Sequence, residues 1–452
     1  MSSAESTHFS SKIGFIMAAA GSAVGVGNIW GFPTQAATHG GGAFLLVYMV
    51  LILILGYPML VAELMIGRHG QTNPADAMAK LGSGVISRKI GKAIGLISII
   101  TATLICTFYT ILSGWFVSFA LAPIAEMFGF DQVADWLMNF SLSRNVVFTV
   151  LFILMVILVI RQGVQKGIEL WSKRLMPLLL LILVLGVIYI LNQPGAMTGL
   201  EALLVPDFSR IWDADVLIGA LGQTFFSLTI GTGAMMVYGA YLNKNEDLGK
   251  LTAYVTLTDT SVAFLAAMMI IPAMYVAQHN GVQIFAADGS LLNSDTLVFT
   301  VLPALFDTLG GHLQYILAFV FFVLMTIAGL TSAISIVEVP TSYLMEKKSM
   351  HRNKATYLIG ALVTVLSLTV VFNFEQLFSF MITLTTERAQ PLIALGIAIY
   401  LGWVWQRNDL LKDIQAQEGV NSNSLFWRIW PLYVKYICPA LITLIIIQLF
   451  NK

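Results

Sequence analysis

Three glycines fall within seven positions in the run Gly21-Ser22-Ala23-Val24-Gly25-Val26-Gly27-Asn28, inside a segment that is otherwise apolar from about residue 12 to residue 36. Glycine costs about 1 kcal/mol against alanine in a helix interior, so a helix through this segment is weakest here. Unwound backbone at membrane depth persists only where it faces protein, water or a ligand. Such a break frees amide N–H groups on one side and carbonyls on the other, and the two half-helix ends then favour an anion and a cation respectively. The pattern therefore predicts binding of an ion together with a charged small molecule. A second interrupted run, Gln223-Thr224-Phe225-Phe226-Ser227-Leu228-Thr229-Ile230-Gly231-Thr232-Gly233, has the same character. One such run reads equally well as small-residue helix packing; two favour a site.

Other residues with chemistry lie in apolar surroundings. Thr331 and Ser332, in Ala328–Ile336, offer neighbouring oxygens to Na⁺, or else bond back to carbonyls one turn earlier. Intramembrane charges are few, and each needs a reason. Asp259 has no basic neighbour in sequence, so it either pairs with a bound cation or is protonated. Glu63 and Glu338 read as structural acceptors for loosened backbone, and Glu387 with Arg388 as a mutually neutralising pair. Tyr109 can project a hydroxyl into a site, although a lone tyrosine is more often core or interface.

The elements that must position these groups are membrane helices. The chain is 58% hydrophobic and 11% charged, with mean hydropathy +0.83, against about 25% charge in soluble domains. The fold class expected is an all-α polytopic membrane protein. Eleven segments are long enough to span a bilayer, roughly 12–36, 42–66, 92–124, 146–162, 167–191, 214–241, 251–276, 313–344, 356–373, 379–405 and 430–450. The first is too long for a signal-peptide core, so no cleaved leader is expected. Lys and Arg concentrate in the connections after even-numbered segments (Arg68, Arg88, Lys89, Arg161, Lys347 and Lys348 among them), while those after segments 3, 5 and 7 hold only Arg144 and Arg210. The N-terminus is thus expected in the cytoplasm, and an odd number of spans places the C-terminus outside. A short lid helix is expected over Asp295–Phe306, in the long outer connection.

The interrupted segments are the first and the sixth. An odd offset of five inverts their topology, which is the pattern of two inverted five-helix repeats with a site at their interface. One domain, 1–452, is expected: repeat one about 12–191, repeat two about 214–405, and an extra helix about 430–450. Net charge is zero, and nothing points to nucleic acid. Cys106 and Cys438 lie in apolar runs, which argues against a disulfide. The six histidines are scattered, and no metal-ligand cluster is expected. No nucleophile–base set lies at one depth, which argues against an enzyme.

At these residues the chain resembles the neurotransmitter:sodium symporter family, which includes the bacterial leucine transporter. The likeness covers nearly the whole chain and is most specific in Gly21–Gly42 (G-S-A-V-G-V-G-N-I-W-x-F-P, then G-G-G-A-F), with Phe226–Gly233 and Ala328–Ser332 behind it. The resemblance implies helices 1 and 6 unwound at mid-membrane and Na⁺-coupled symport of an amino acid or amino acid-like solute by alternating access. It implies two sodium sites. The first would use the Ala23 carbonyl, Asn28, Ser227, Asp259 and the substrate carboxylate. The second would use the carbonyls of Gly21, Val24 and Ala328 with the hydroxyls of Thr331 and Ser332.

For the substrate, the resemblance implies that its carboxylate meets the amides of Gly25, Val26 and Gly27 and the Tyr109 hydroxyl. Its ammonium would meet carbonyls of Ala23, Phe226 and Ser227 and the Thr229 side chain. Ile105, Phe226, Thr232, Ser332 and Ile336 would line the pocket, and Glu63 would brace the broken helices. Tyr241 and Glu346 resemble parts of a cytoplasmic gate. Gly167 and Pro177 match a pattern that the family associates with inner unwinding; alone they read as a helix start and a kink.

Asp259 stands where many members have asparagine beside a chloride. Its fixed charge implies that no chloride is required, with Tyr48, Gln223 and Ser227 around it. Three departures stand out. Gly31 and Ile382 replace the usual outer arginine and its acidic partner, with Glu387 or Arg388 as substitutes. Thr232 replaces a common aromatic residue, which opens the pocket and leaves taurine, betaine or another non-standard amino compound as alternative substrates. Lys12 and Phe9 replace the Arg and Trp of the N-terminal tail. The expected setting is the inner (plasma) membrane, in contact with lipid, as a monomer or homodimer. A non-transporting sensor or a channel on the same scaffold is the rival class.

Overall fold

The structure, a computed structural model, describes residues 8–284, 298–299, 302–303, 305–306, 311–415 and 424–450. The described residues are helical almost throughout. In chain order the helices are α1 (Lys12–Ala23), α2 (Gly27–Thr38), α3 (Gly42–Gly70), α4 (Pro74–Lys80), α5 (Val85–Met127), α6 (Asp131–Met138), α7 (Leu142–Ile160), α8 (Val164–Leu191) and α9 (Ala196–Leu204). The second half holds α10 (Ala214–Ser227), α11 (Ala234–Ala240), α12 (Leu248–His279), α13 (Gly311–Lys348), α14 (Arg352–Phe372), α15 (Phe374–Val404), α16 (Arg407–Gln415) and α17 (425–450).

Among the described residues, seven helices are long and apolar enough to cross a membrane, or nine if two bent pairs each count as one span. The eleven apolar segments fall on helix for most of their length, with 12–36 divided between α1 and α2 and 214–241 between α10 and α11. The expected lid over Asp295–Phe306 lies mostly outside the described residues. Its described members are helical: Val298, Phe299, Leu302, Leu305 and Phe306 are buried and Pro303 half-buried.

The outward faces are apolar. Leu53 (66% exposed), Leu257 (65%) and Val365 (62%) point away from the core. Surfaces of this kind suit lipid, while the helical ladders satisfy the backbone polar groups internally. The two longest helices, α5 and α13, run against each other through the centre. They approach closely: a Cβ at Gly329 would stand 2.6 Å from the Ser113 Oγ.

Two spans break beside this pair. Helix α1 ends where Val24 turns extended (φ −68°, ψ 108°), and α2 leaves at 51°. Between α10 and α11 the backbone turns left-handed at Thr229 (φ 54°), Gly231 (87°) and Gly233 (78°). Glycine takes this conformation without steric cost. For β-branched Thr229 it is strained, of the kind that clusters at functional sites. Helix α8 is continuous through Gly167 and Pro177.

Candidate functional site

The two breaks face each other and are tied together by side chains. At the first, the Asn28 Oδ1 accepts from the Gly25 N–H at 3.0 Å, and the Asn28 N–H reaches the Gly25 carbonyl at 3.1 Å. This is a capping arrangement that starts α2 directly after the break. The Asn28 Nδ2 donates to the Asp259 Oδ1 at 2.7 Å and to the Ser227 Oγ at 2.9 Å. Ser227 donates in turn to the Asp259 Oδ2 at 2.8 Å, and Tyr48 donates to the Ser227 Oγ at 3.4 Å. Asn28, Ser227 and Asp259 are all completely buried. One closed network thus joins α2, the end of α10 and the middle of α12. Gln223 adds a second tie, its Nε2 donating to the Gly27 carbonyl at 2.8 Å.

The second break is braced from two sides. The Gly231 N–H donates to the Glu63 Oε1 at 2.6 Å, and the Gln390 Nε2 donates to the Ile230 carbonyl at 3.1 Å. Glu63 thus accepts from loosened backbone, as its position in an apolar helix predicts.

Between the breaks lies a cavity of about 10 Å³, lined by Ala23, Gly25, Gly27, Ile105, Tyr109, Phe226, Thr229, Thr232, Ser332, Ile336 and Gln390. It has room for about one water molecule. The two glycines on its wall are needed for close approach. A Cβ at Gly27 would stand 2.8 Å from the Phe226 ring, and one at Gly25 would run into the Tyr109 hydroxyl and stand 2.9 Å from the Ser332 Cβ. The Tyr109 oxygen accepts from the Val26 N–H at 3.0 Å, and the Ser332 side chain lies within hydrogen-bond reach of the same hydroxyl.

Ten of the twelve residues expected to meet a substrate line this cavity. Val26 bonds to Tyr109 through its backbone, and Ser227 belongs to the Asp259 network. Of the residues expected at a first sodium site, Asn28, Ser227 and Asp259 converge directly, and Ala23 lines the adjoining cavity. Those expected at a second lie where α1 meets α13. The Thr331 Cβ stands 3.3 Å from a Cβ built on Gly21, and Ser332 donates to the Ser22 carbonyl at 3.0 Å. Thr331 bonds back to Ile327 and Ala328 at 3.1 and 3.2 Å, which is the alternative that its helical position allows. No group of three or more His, Cys, Asp or Glu side chains lies together among the described residues.

Other residues depart from expectation. Tyr241 lies against Glu338, on the helix that also carries Glu346. It donates to the Glu338 Oε1 at 2.6 Å, and Arg352 clamps the same carboxylate at 2.7 and 3.0 Å. Glu338 is therefore the centre of a buried ion pair and not an acceptor for loosened backbone. Glu346 instead accepts from Thr72 and from the backbone and side chain of Asn73, the latter two at 2.8 and 2.7 Å. Phe9 packs edge-on against Phe15, Tyr238 and Tyr241. Lys12 pairs with Glu246 at 3.1 Å. Glu387 and Arg388 are exposed, and no ion pair joins them among the described residues. Gly31 has space above it, with only the Gln223 Oε1 (3.5 Å) near a Cβ.

Sequence reasoning missed Gln390. It directly follows a wide-turn stretch, Thr383–Ala389, that displaces the helix register. An uncharged polar residue in an apolar run gave little signal of its own.

With this geometry in view, the comparisons are informative. The model of the sodium:neurotransmitter symporter family matches residues 6–141 and 138–452. An uncharacterised sodium-dependent transporter of Bacillus subtilis is 32% identical over 100% of the chain and 99% of its own length. The sodium-dependent dopamine transporter of Bos taurus is 25% identical over 97% of the chain and 68% of its own length. The crystal structure of MhsT in complex with L-phenylalanine superposes with a TM-score of 0.85 at 32% identity, covering 98% of this chain and 99% of that one.

Proposed function

Because the chain belongs to the sodium:neurotransmitter symporter family, a family of multi-pass sodium-coupled transporters, we propose that it carries an amino acid or amino acid-like solute into the cell together with Na⁺, by alternating access. The observation that carries this reading is the buried Asn28–Ser227–Asp259 network beside the cavity. A fixed carboxylate and a hydroxyl converge there between two broken helices, which suits a hard cation that prefers oxygen.

In this reading eleven helices span the bilayer, the first and sixth spans are unwound at mid-membrane, and two inverted five-helix repeats (about 12–191 and 214–405) are followed by one extra helix. The N-terminus lies in the cytoplasm and the C-terminus outside. A substrate carboxylate takes the Gly25–Gly27 amides and the Tyr109 proton. Its ammonium takes the carbonyls around Ala23 and Phe226. The first Na⁺ replaces the Asn28 NH₂ between Asp259 and Ser227, and Asn28 turns its oxygen toward the ion, releasing the Gly25 N–H to the substrate. The second Na⁺ draws Thr331 and Ser332 away from the helix carbonyls and draws α1 onto α13. Because the Asp259 charge is fixed, chloride is not required. Ligands shift the two access states only as far as they bind one better than the other.

Thermal unfolding of the purified protein, scanned against the amino acids plus taurine and betaine in Na⁺ and in K⁺, tests this. A native-state ligand raises the midpoint by mass action. A midpoint rise that requires Na⁺ is the expected outcome; equal shifts in K⁺ would refute the coupling.

A further inference from the structure

The polar atoms on the cavity wall are not all accounted for. Thr232 donates to the Thr229 carbonyl at 2.7 Å and accepts from the Ala234 N–H at 3.2 Å, so its hydroxyl is committed in both directions. Ser332 donates to Ser22 across the helix interface. The Tyr109 oxygen receives the Val26 N–H. Two side-chain atoms of the lining residues remain: the Thr229 Oγ1 and the Gln390 Oε1 are buried and without a hydrogen-bond partner. Gln390 is completely buried and Thr229 is 5% exposed.

The orientation of the Gln390 amide is fixed. Its Nε2 donates to the Ile230 carbonyl, and only the nitrogen can make that bond, so the oxygen is the end left over. Its backbone is fixed as well, since the Gln390 carbonyl lies 2.7 Å from a Cβ built on Gly231. Buried polar groups are rarely left unpaired, and one in a native structure needs an explanation.

We infer that the Gln390 Oε1 is a specificity contact, accepting a hydrogen bond from an O–H or N–H on the side chain of the transported amino acid. This rests on the function proposed above. The Thr229 hydroxyl, also unpartnered, adds a second polar atom to a cavity that the apolar side chains of Ile105, Phe226 and Ile336 line as well. The cavity is small, and the Phe226 ring presses on Gly27. The substrate class these two atoms select is an amino acid with a side-chain hydroxyl or amide, not its apolar isostere. A site built to bond a substrate hydroxyl discriminates strongly against the analogue that lacks it, because the buried acceptor is then stranded.

The test is Na⁺-dependent uptake by the full chain in proteoliposomes, with the isosteric pairs threonine/valine and asparagine/leucine as competing substrates. Wild type should favour threonine and asparagine by about tenfold or more. In Gln390→Met the ratio should fall toward one. O-methylthreonine, which keeps the oxygen but cannot donate it, should compete no better than isoleucine, which it matches in shape. That last measurement needs only wild type and stands even where a variant does not fold. Equal or better uptake of valine and leucine by wild type overturns the inference, as does a preference unchanged in Gln390→Met or an O-methylthreonine as effective as threonine. Absence of Na⁺-dependent uptake of every amino acid would instead refute the proposed function itself.

Discussion

The Asn28 amide donates to a carboxylate oxygen of Asp259 at 2.7 Å, and neither residue is exposed at all. One lies just beyond the first break and the other mid-way along α12, so this bond fixes the first break against a continuous helix. Replacing Asp259 by Asn keeps the shape and removes the charge. Hydrogen bonds to charged groups contribute about 1.5–3 kcal/mol, so half-maximal Na⁺ for thermal stabilisation should rise by about tenfold or more in chloride-free medium. Added chloride should restore part of the loss in Asp259→Asn and leave wild type unaffected. Unchanged Na⁺ dependence would remove Asp259 from the ion site.

Glu63 holds the Gly231 amide at the second break. Glu63→Ala strands that N–H in a buried position, at a cost of about 1–3 kcal/mol. Glu63→Gln keeps an acceptor and should cost clearly less. Thermal unfolding of both variants reads the difference, and equal losses would mean that the backbone bond contributes little.

How much of this the chain announced depends on the residue. The breaks were legible because glycine acts locally: Gly25, Gly27, Gly231 and Gly233 each mark backbone that a side chain would obstruct or strain. The convergence of Asn28, Ser227 and Asp259 was legible through the resemblance, since residues so far apart in the chain carry no local sign of contact. The contact of Tyr241 with Glu338 was not legible, for a geometric reason. Glu338 and Glu346 lie on one helix, α13, little more than two turns apart, and sequence alone does not fix which turn lies opposite a tyrosine on another element. Gln390 escaped because the wide turn before it shifts the register by which a helical face is read.

Thr229 adopts a left-handed conformation (φ 54°) that disfavours β-branched side chains. Thr229→Gly should relieve strain and raise stability by up to about 1 kcal/mol, while uptake falls because the unpartnered hydroxyl is lost. Parallel unfolding and transport assays separate the two effects. A destabilised Thr229→Gly would show that the hydroxyl is a structural element.

The Glu338–Arg352 pair (2.7 Å) is buried on both sides. Removing one partner of such a pair costs about 3–5 kcal/mol, whereas an apolar replacement of both is often neutral. Arg352→Met should therefore be severely destabilised, and adding Glu338→Leu should recover most of the loss. A double-mutant cycle by chemical denaturation measures it. Strictly additive losses would mean that the two residues act independently.

In the proposed function, Na⁺ entry drives solute entry through the cavity between the breaks. The most direct measurement uses proteoliposomes loaded with K⁺ and placed in Na⁺, with the labelled amino acid that stabilises the protein most. Accumulation above the outside concentration is expected. It should grow when the interior is made negative, each entering charge contributing about 2.3 kcal/mol per 100 mV, and it should vanish when external Na⁺ is replaced by K⁺. Binding without accumulation, or accumulation that is the same in K⁺, would contradict the account.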